Sequence, residues 1–157
     1  MTVRLLFVCT GNTCRSPLAA AIAAQLSADR HADIVVGSAG TAAWPDAPAS
    51  DGSMLVGLER GLDLSAHRAR LLTADLIAEA DVILAMGPQH VTRALALGGA
   101  GRTHLLTAFA SNDAVHRAIS DPFGGDLTQY RRTSDELWDV VERAVDRLHR
   151  TQHGVGP

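Results

Sequence analysis

Cysteine is scarce in this chain: two residues of 157, Cys9 and Cys14, both within one short stretch. That is no framework for a disulfide-stapled secreted domain. Aromatic side chains are few as well, with two Trp, one Tyr and three Phe. No apolar run approaches the roughly 18–20 residues that span a bilayer, so no membrane partner is expected. A net charge of −3 brings no basic excess of the kind nucleic acid selects and no acidic tail. No four-ligand cluster of metal-binding residues exists; His149 and His153 share helical spacing but lie in a tail ending in glycine and proline. Neither metal nor cofactor is therefore expected. The N-terminal apolar segment is too short for a signal-peptide core and lacks a small-residue cleavage site, which predicts a cytoplasmic protein. With 46% apolar residues over 157 positions, the chain has material for one core. A single domain over 1–157 is expected, about 151–157 being a disordered tail and the state a monomer or weak dimer.

What is present concentrates in Val8-Cys9-Thr10-Gly11-Asn12-Thr13-Cys14-Arg15-Ser16-Pro17. An apolar run, Leu5 to Val8, precedes it and an alanine-rich stretch from Leu18 follows, which reads as strand, loop and helix. Such a loop delivers unpaired N–H groups and the positive end of a helix dipole to an anion. Cys9 opens the loop and Arg15 closes it, with five residues between them. A thiolate is the attacking form of cysteine and is favoured beside cations and helix N-termini. Arginine offers a planar fork matched to two phosphate oxygens. Gly11 admits backbone that a side chain would block, Ser16 can donate to the sulfur, and Pro17 suits a first helical turn. The Gly-Lys-Ser/Thr ending of a nucleotide-binding loop is missing, which excludes an ATPase. Thr10, Gly11, Asn12, Thr13 and Cys14 are the expected phosphate cradle.

Cys9 to Pro17 resembles the active-site loop of the low-molecular-weight protein tyrosine phosphatases, Cys-x-Gly-Asn-x-Cys-Arg-Ser-Pro. The resemblance implies an α/β fold: one four-stranded parallel sheet flanked by helices on both faces. It also implies hydrolysis of aryl phosphates, with a tyrosine-phosphorylated protein as substrate. Ser38 to Thr41 and Trp44 resemble the family's Ser-Ala-x-Thr segment and the aromatic that lines its ring cleft. His67 to Arg70 resembles its His-x-Ala-Arg segment. By that match Asn12, Ser16, Ser38 and His67 hold the cradle rigid. Asp121-Pro122-Phe123 resembles its general-acid loop, with Asp121 protonating the leaving group and Phe123 facing the ring. Gly124 departs from members that carry a second aromatic there. A loop curled around an anion brings Cys9 and Cys14 within the roughly 7 Å Cα limit for a disulfide. A reversible bridge, for which the family is known, is one expectation for Cys14; a small packing residue is the other.

Along the rest of the chain the pattern predicts a first helix to about Arg30, a strand at Ile34–Val36 and a small-residue loop at Gly37–Pro48. Helices over Asp51–Arg60, Ala74–Ala80 and Gln89–Leu97 alternate with strands at Asp81–Met86 and Arg102–Leu106. Thr107–Ser120 reads as a mobile surface loop, and an amphipathic helix begins at Asp126 or Leu127. The expected activity is a protein-tyrosine phosphatase acting through a phosphocysteine. Rival readings are an arsenate reductase using an external small thiol, a phosphotyrosine-binding module without turnover, and a thiol-redox protein on Cys9 and Cys14.

Overall fold

The computed structural model describes residues 1–154; the last three residues of the expected tail, Val155, Gly156 and Pro157, lie outside the described residues. Ten elements follow in order: β1 (Val3–Cys9), α1 (Arg15–Asp29), β2 (Ile34–Gly40), α2 (Asp51–Glu59), α3 (Ala74–Glu79), β3 (Val82–Ala85), α4 (Pro88–Ala96), β4 (Thr103–Leu105), α5 (Leu106–Ala110) and α6 (Leu127–Gln152). The four strands form one sheet in the order β2-β1-β3-β4, and every pairing is parallel. Strand order reverses about β1, so the crevice beyond the carboxyl end of β1 is where an open α/β sheet takes a ligand.

Alternate residues of β1 feed two cores. Leu5 and Phe7 pack with Leu84 against Leu18 and Ile22 of α1 and Leu137, Val141 and Val145 of α6. Leu6 and Val8 pack with Ile83 against Leu72, Ile77 of α3 and Ala94 of α4. Burial on both faces explains why β1 and β3 are near-continuously apolar. Local chemistry sets the helix starts. Ser50 and Thr73 accept from Ser53 N–H and Leu76 N–H at the starts of α2 and α3. Asp126 and Gln129 form a reciprocal capping box on α6. α1 differs: Cys14 stands at its N-cap without a side-chain cap. No helix among the described residues is long and apolar enough to cross a membrane.

Three expectations are corrected. β2 does not stop at Val36 but continues to Gly40, pairing Gly37, Ser38, Ala39 and Gly40 with Leu6 through Cys9. Small residues look like loop by composition, yet here they let the strand run close under the segment from Thr10 to Asn12. An added methyl on Gly40 would meet the Thr10 carbonyl and come within 2.9 Å of Asn12 N. Thr107–Ser120 is not wholly irregular, because α5 occupies Leu106–Ala110 with Leu106, Thr107, Ala108 and Phe109 buried; a helix of five residues is too short to show a period. Finally, α6 runs on through Thr151 and Gln152, and the Gln152 amide donates to the carbonyls of Met1 and Asp33.

Candidate active site

Cys9 ends β1, residues 10–14 turn across the sheet's carboxyl edge, and Arg15 begins α1. The turn depends on Asn12, which is fully buried and adopts φ of +55°, a left-handed conformation that asparagine tolerates. Its amide nitrogen donates to Ser16 Oγ (2.7 Å) and Ser38 Oγ (3.0 Å), and its Oδ1 accepts from Arg70 N–H at 2.9 Å. His67 Nε2 lies 2.7 Å from the Asn12 carbonyl. A carbonyl only accepts, so Nε2 carries the proton; burial pushes the His67 pKa down, which keeps that ring neutral. The four residues expected to brace the loop are thus brought together. Arg70 joins them through its main chain and through Nε, which donates to the Ser38 carbonyl at 2.8 Å.

Two hydrogen-bonding groups converge on the Cys9 sulfur. Asn12 N–H lies 3.3 Å from Sγ, and Ser16 Oγ lies 2.9 Å from it. Against a thiolate, which can only accept, Ser16 is the donor. Cys9 is 2% exposed, so only the cleft above offers an approach. That cleft, of about 210 Å³, is lined by Cys9, Thr10, Gly11, Thr13, Cys14, Arg15, Asp121 and Phe123.

Arg15 is 4% exposed. Its Nη1 donates to the Ile119 carbonyl at 2.9 Å, and its Nη2 stands 3.6 Å from Asp121 Oδ2. A buried guanidinium left unpaired would cost several kcal/mol, roughly, so these partners fix where it can sit. Asp121 is held in turn by Phe123 N–H, which donates to Oδ1 at 3.1 Å. Phe123 stands at the rim, 76% exposed. Trp44 is 82% exposed and is not among the residues lining the cleft. Cys14 is buried among hydroxyls: Ser50 Oγ lies 3.3 Å and Tyr130 OH 3.5 Å from its sulfur. Ser53 Oγ donates to its carbonyl. Both cysteines are free thiols.

Sequence reasoning missed Arg70, Ser50, Tyr130 and, closest to the loop, His90. His90 Nε2 lies 2.8 Å from Thr10 Oγ1. Its position just beyond the carboxyl end of β3 was the available signal, since that edge is where the sheet binds ligands. Burial, with the Arg15 charge adding and Asp121 opposing, lowers its pKa from 6.5 to about 4. The unfolded chain therefore takes up this proton first as pH falls, and stability present above pH 6.5 is lost toward pH 4. Urea unfolding at pH 7 and at about pH 4.5 is expected to show a loss on the order of 2 kcal/mol from this group. His90→Phe, which cannot titrate, should show a correspondingly smaller loss; equal losses in the two proteins would contradict a neutral buried imidazole.

Residues 4–153 match the family model described as low molecular weight phosphotyrosine protein phosphatase. The chain is 35% identical over 152 residues to the protein-arginine-phosphatase of Geobacillus stearothermophilus, covering 97% of this chain and 100% of that one. It is 33% identical over 140 residues to the low molecular weight protein-tyrosine-phosphatase PtpB of Staphylococcus haemolyticus, covering 88% of this chain and 95% of that one. Among solved structures, a YwlE arginine phosphatase mutant with a phosphorylated active-site serine superposes with a TM-score of 0.89 at 30% identity, covering 96% of this chain and 99% of that one.

Proposed function

The chain belongs to the low molecular weight phosphotyrosine protein phosphatase family, and from that premise we propose that it removes phosphate from modified protein side chains through a phosphocysteine at Cys9. The observation that carries the reading is the meeting of Cys9, Arg15 and Asp121 on one small cleft. In the first step the Cys9 thiolate attacks phosphorus in line, the bond from phosphorus to the leaving atom breaks, and Asp121 gives that atom its proton. Loop amides and the Arg15 fork hold the equatorial oxygens, where charge is carried through the transition state. In the second step Asp121 takes a proton from water, the hydroxide joins phosphorus, and the S–P bond breaks to return the thiolate. The phosphorylated active-site serine reported for a relative supports attack from a loop nucleophile. A pure binding module would leave Cys9 and Asp121 without a task.

Phosphotyrosine and phosphoarginine both present a planar group on the phosphate; we infer the second from the carboxylate beside the leaving group and from the relatives, not from the walls of the cleft. A phenyl ring needs apolar walls on its faces. Here one aromatic, Phe123, stands at the rim, and Trp44 lies outside the lining. Most of the cleft's exposed lining is nonetheless apolar, and its rim also carries the hydroxyls of Thr10 and Thr13 and the Asp121 carboxylate. A departing guanidine must be protonated on nitrogen and becomes cationic, which suits a carboxylate beside it. Relatives named for arginine phosphatase activity agree with this choice. Metal-free assays on matched peptides should give a kcat/KM at least about tenfold higher for phosphoarginine than for phosphotyrosine, equivalent to one lost charged pairing. The reverse order would restore aryl phosphates as the substrate class. Arsenate reduction with a small thiol, in the absence of phosphate release, would favour the reductase reading instead.

A further inference from the structure

The two-step reaction leaves one buried histidine beside the loop without a task. His90 lies in the first turn of α4, where Gly87 and Pro88 start the helix and the His90 N–H closes onto the Gly87 carbonyl at 3.1 Å. The side chain is fully buried. Its Nε2 faces Thr10 Oγ1 at 2.8 Å, and its Nδ1 is buried with no hydrogen-bond partner among the described residues. Thr10 itself is exposed and lines the cleft.

A neutral imidazole carries its proton on one nitrogen only. On Nδ1 the proton would be a buried N–H with nothing to receive it, the rarer and costlier kind of orphan. On Nε2 it is donated to Thr10 Oγ1, leaving just a bare lone pair at Nδ1. The second arrangement occupies the Thr10 oxygen as an acceptor, so the hydroxyl proton is free for a partner in the cleft. The first would turn that proton toward the ring and show lone pairs to the cleft, where they would repel an anion.

We propose that His90 is a positioning residue for anion binding: its Nε2–H fixes the Thr10 hydroxyl so that the hydroxyl proton points to an oxygen of the bound phosphoryl group. The inference rests on the phosphatase reading above. It adds a side-chain donor to the loop amides and Arg15, and hydrogen bonds to ionised oxygens are the strong ones. Burial and the neighbouring Arg15 charge keep the ring neutral, so it does not compete for the phosphate itself.

The test uses the full chain with inorganic phosphate as the probe. ¹⁵N NMR of the imidazole at pH 7 is expected to show the Nε2–H tautomer; the Nδ1–H tautomer overturns the proposal. Thr10→Val should weaken phosphate binding about tenfold, and Thr10→Ser, which restores the hydroxyl, should recover most of that loss. His90→Phe fills the space without a donor and should weaken binding to a similar extent. The double variant Thr10→Val, His90→Phe should be no weaker than either single one. Unchanged affinity in Thr10→Val or in a folded His90→Phe overturns the proposal, as do losses that multiply in the double variant. If His90→Phe does not fold, the tautomer and the Thr10 pair still decide. These readouts need no turnover, so failure of the phosphatase reading would show separately, as absent hydrolysis with tautomer and phosphate affinity as expected.

Discussion

Cys9→Ser is expected to reduce turnover by on the order of 10⁴-fold or more, while phosphate affinity and the cooperative unfolding of the protein stay near those of the parent. The size of the effect follows from what the sulfur does that an oxygen cannot. A thiol reaches its anionic, nucleophilic form near neutral pH, and a serine hydroxyl does so only with an adjacent base. The nearest side-chain partner of Sγ is Ser16, another hydroxyl, and the main-chain partner is an N–H, so no base stands beside residue 9 to ionise a serine. The cradle itself is untouched, because Asn12 is fixed by Ser16, Ser38, Arg70 and His67 rather than by residue 9 alone. Steady-state hydrolysis together with titration by inorganic phosphate separates the two properties. Turnover within about a hundredfold of the parent would overturn Cys9 as the nucleophile; lost phosphate binding would mean that the sulfur shapes the cradle.

Asp121→Ala should slow hydrolysis by roughly 10²–10⁴-fold, the range of a general acid, and the loss should depend on the leaving group. A nitrophenolate departs readily without a proton and should feel little of it. Phosphotyrosine and phosphoarginine, whose leaving groups are far more basic, should feel all of it. Asp121 also stands 3.6 Å from Arg15 Nη2 with half of its side chain exposed. Removing that carboxylate frees the guanidinium and takes away a negative charge from the cleft, so phosphate should bind as tightly as before or more tightly. A plot of rate against leaving-group basicity for the two proteins decides the matter. Parallel lines would show that Asp121 does not donate the proton, and weaker phosphate binding would show that it serves chiefly to hold Arg15 in place.

The part of this site that lies in one contiguous stretch was legible before any coordinates. Cys9 through Pro17 carry the proposed nucleophile, the turn, the cation and the helix start in nine positions, and the apolar run before them reads as a buried strand. Strand and helix alternate with enough contrast to give the four-stranded parallel sheet and its helices. Where the reading went astray, a local property was weak. Gly37 to Gly40 have little strand propensity of their own and become β2 only because β1 pairs with them. α5 is a single turn held by burial against its neighbours. His90 was invisible for a different reason: its partner Thr10 is 80 positions away, and a single histidine after Gly-Pro has no signature without the sheet that brings β1 and β3 side by side. Arg70 and Ile119 contribute main-chain atoms, to which side-chain motifs are blind. Asp121 was picked out by the resemblance of Asp121-Pro122-Phe123 to the family's general-acid loop, and it does line the cleft, whereas Trp44, taken from the same resemblance as a wall of the cleft, stands largely in solvent and is not among the residues that line it.

The most direct measurement is rapid acid quench of the parent protein during turnover, followed by mass mapping of the phosphorylated residue. The account predicts one phosphoryl group per chain, carried on the sulfur of Cys9 and lost when water or another acceptor completes the cycle. Product formed at full rate with no phosphorylated protein in the quench, or a phosphoryl group mapped to any residue other than Cys9, would contradict it.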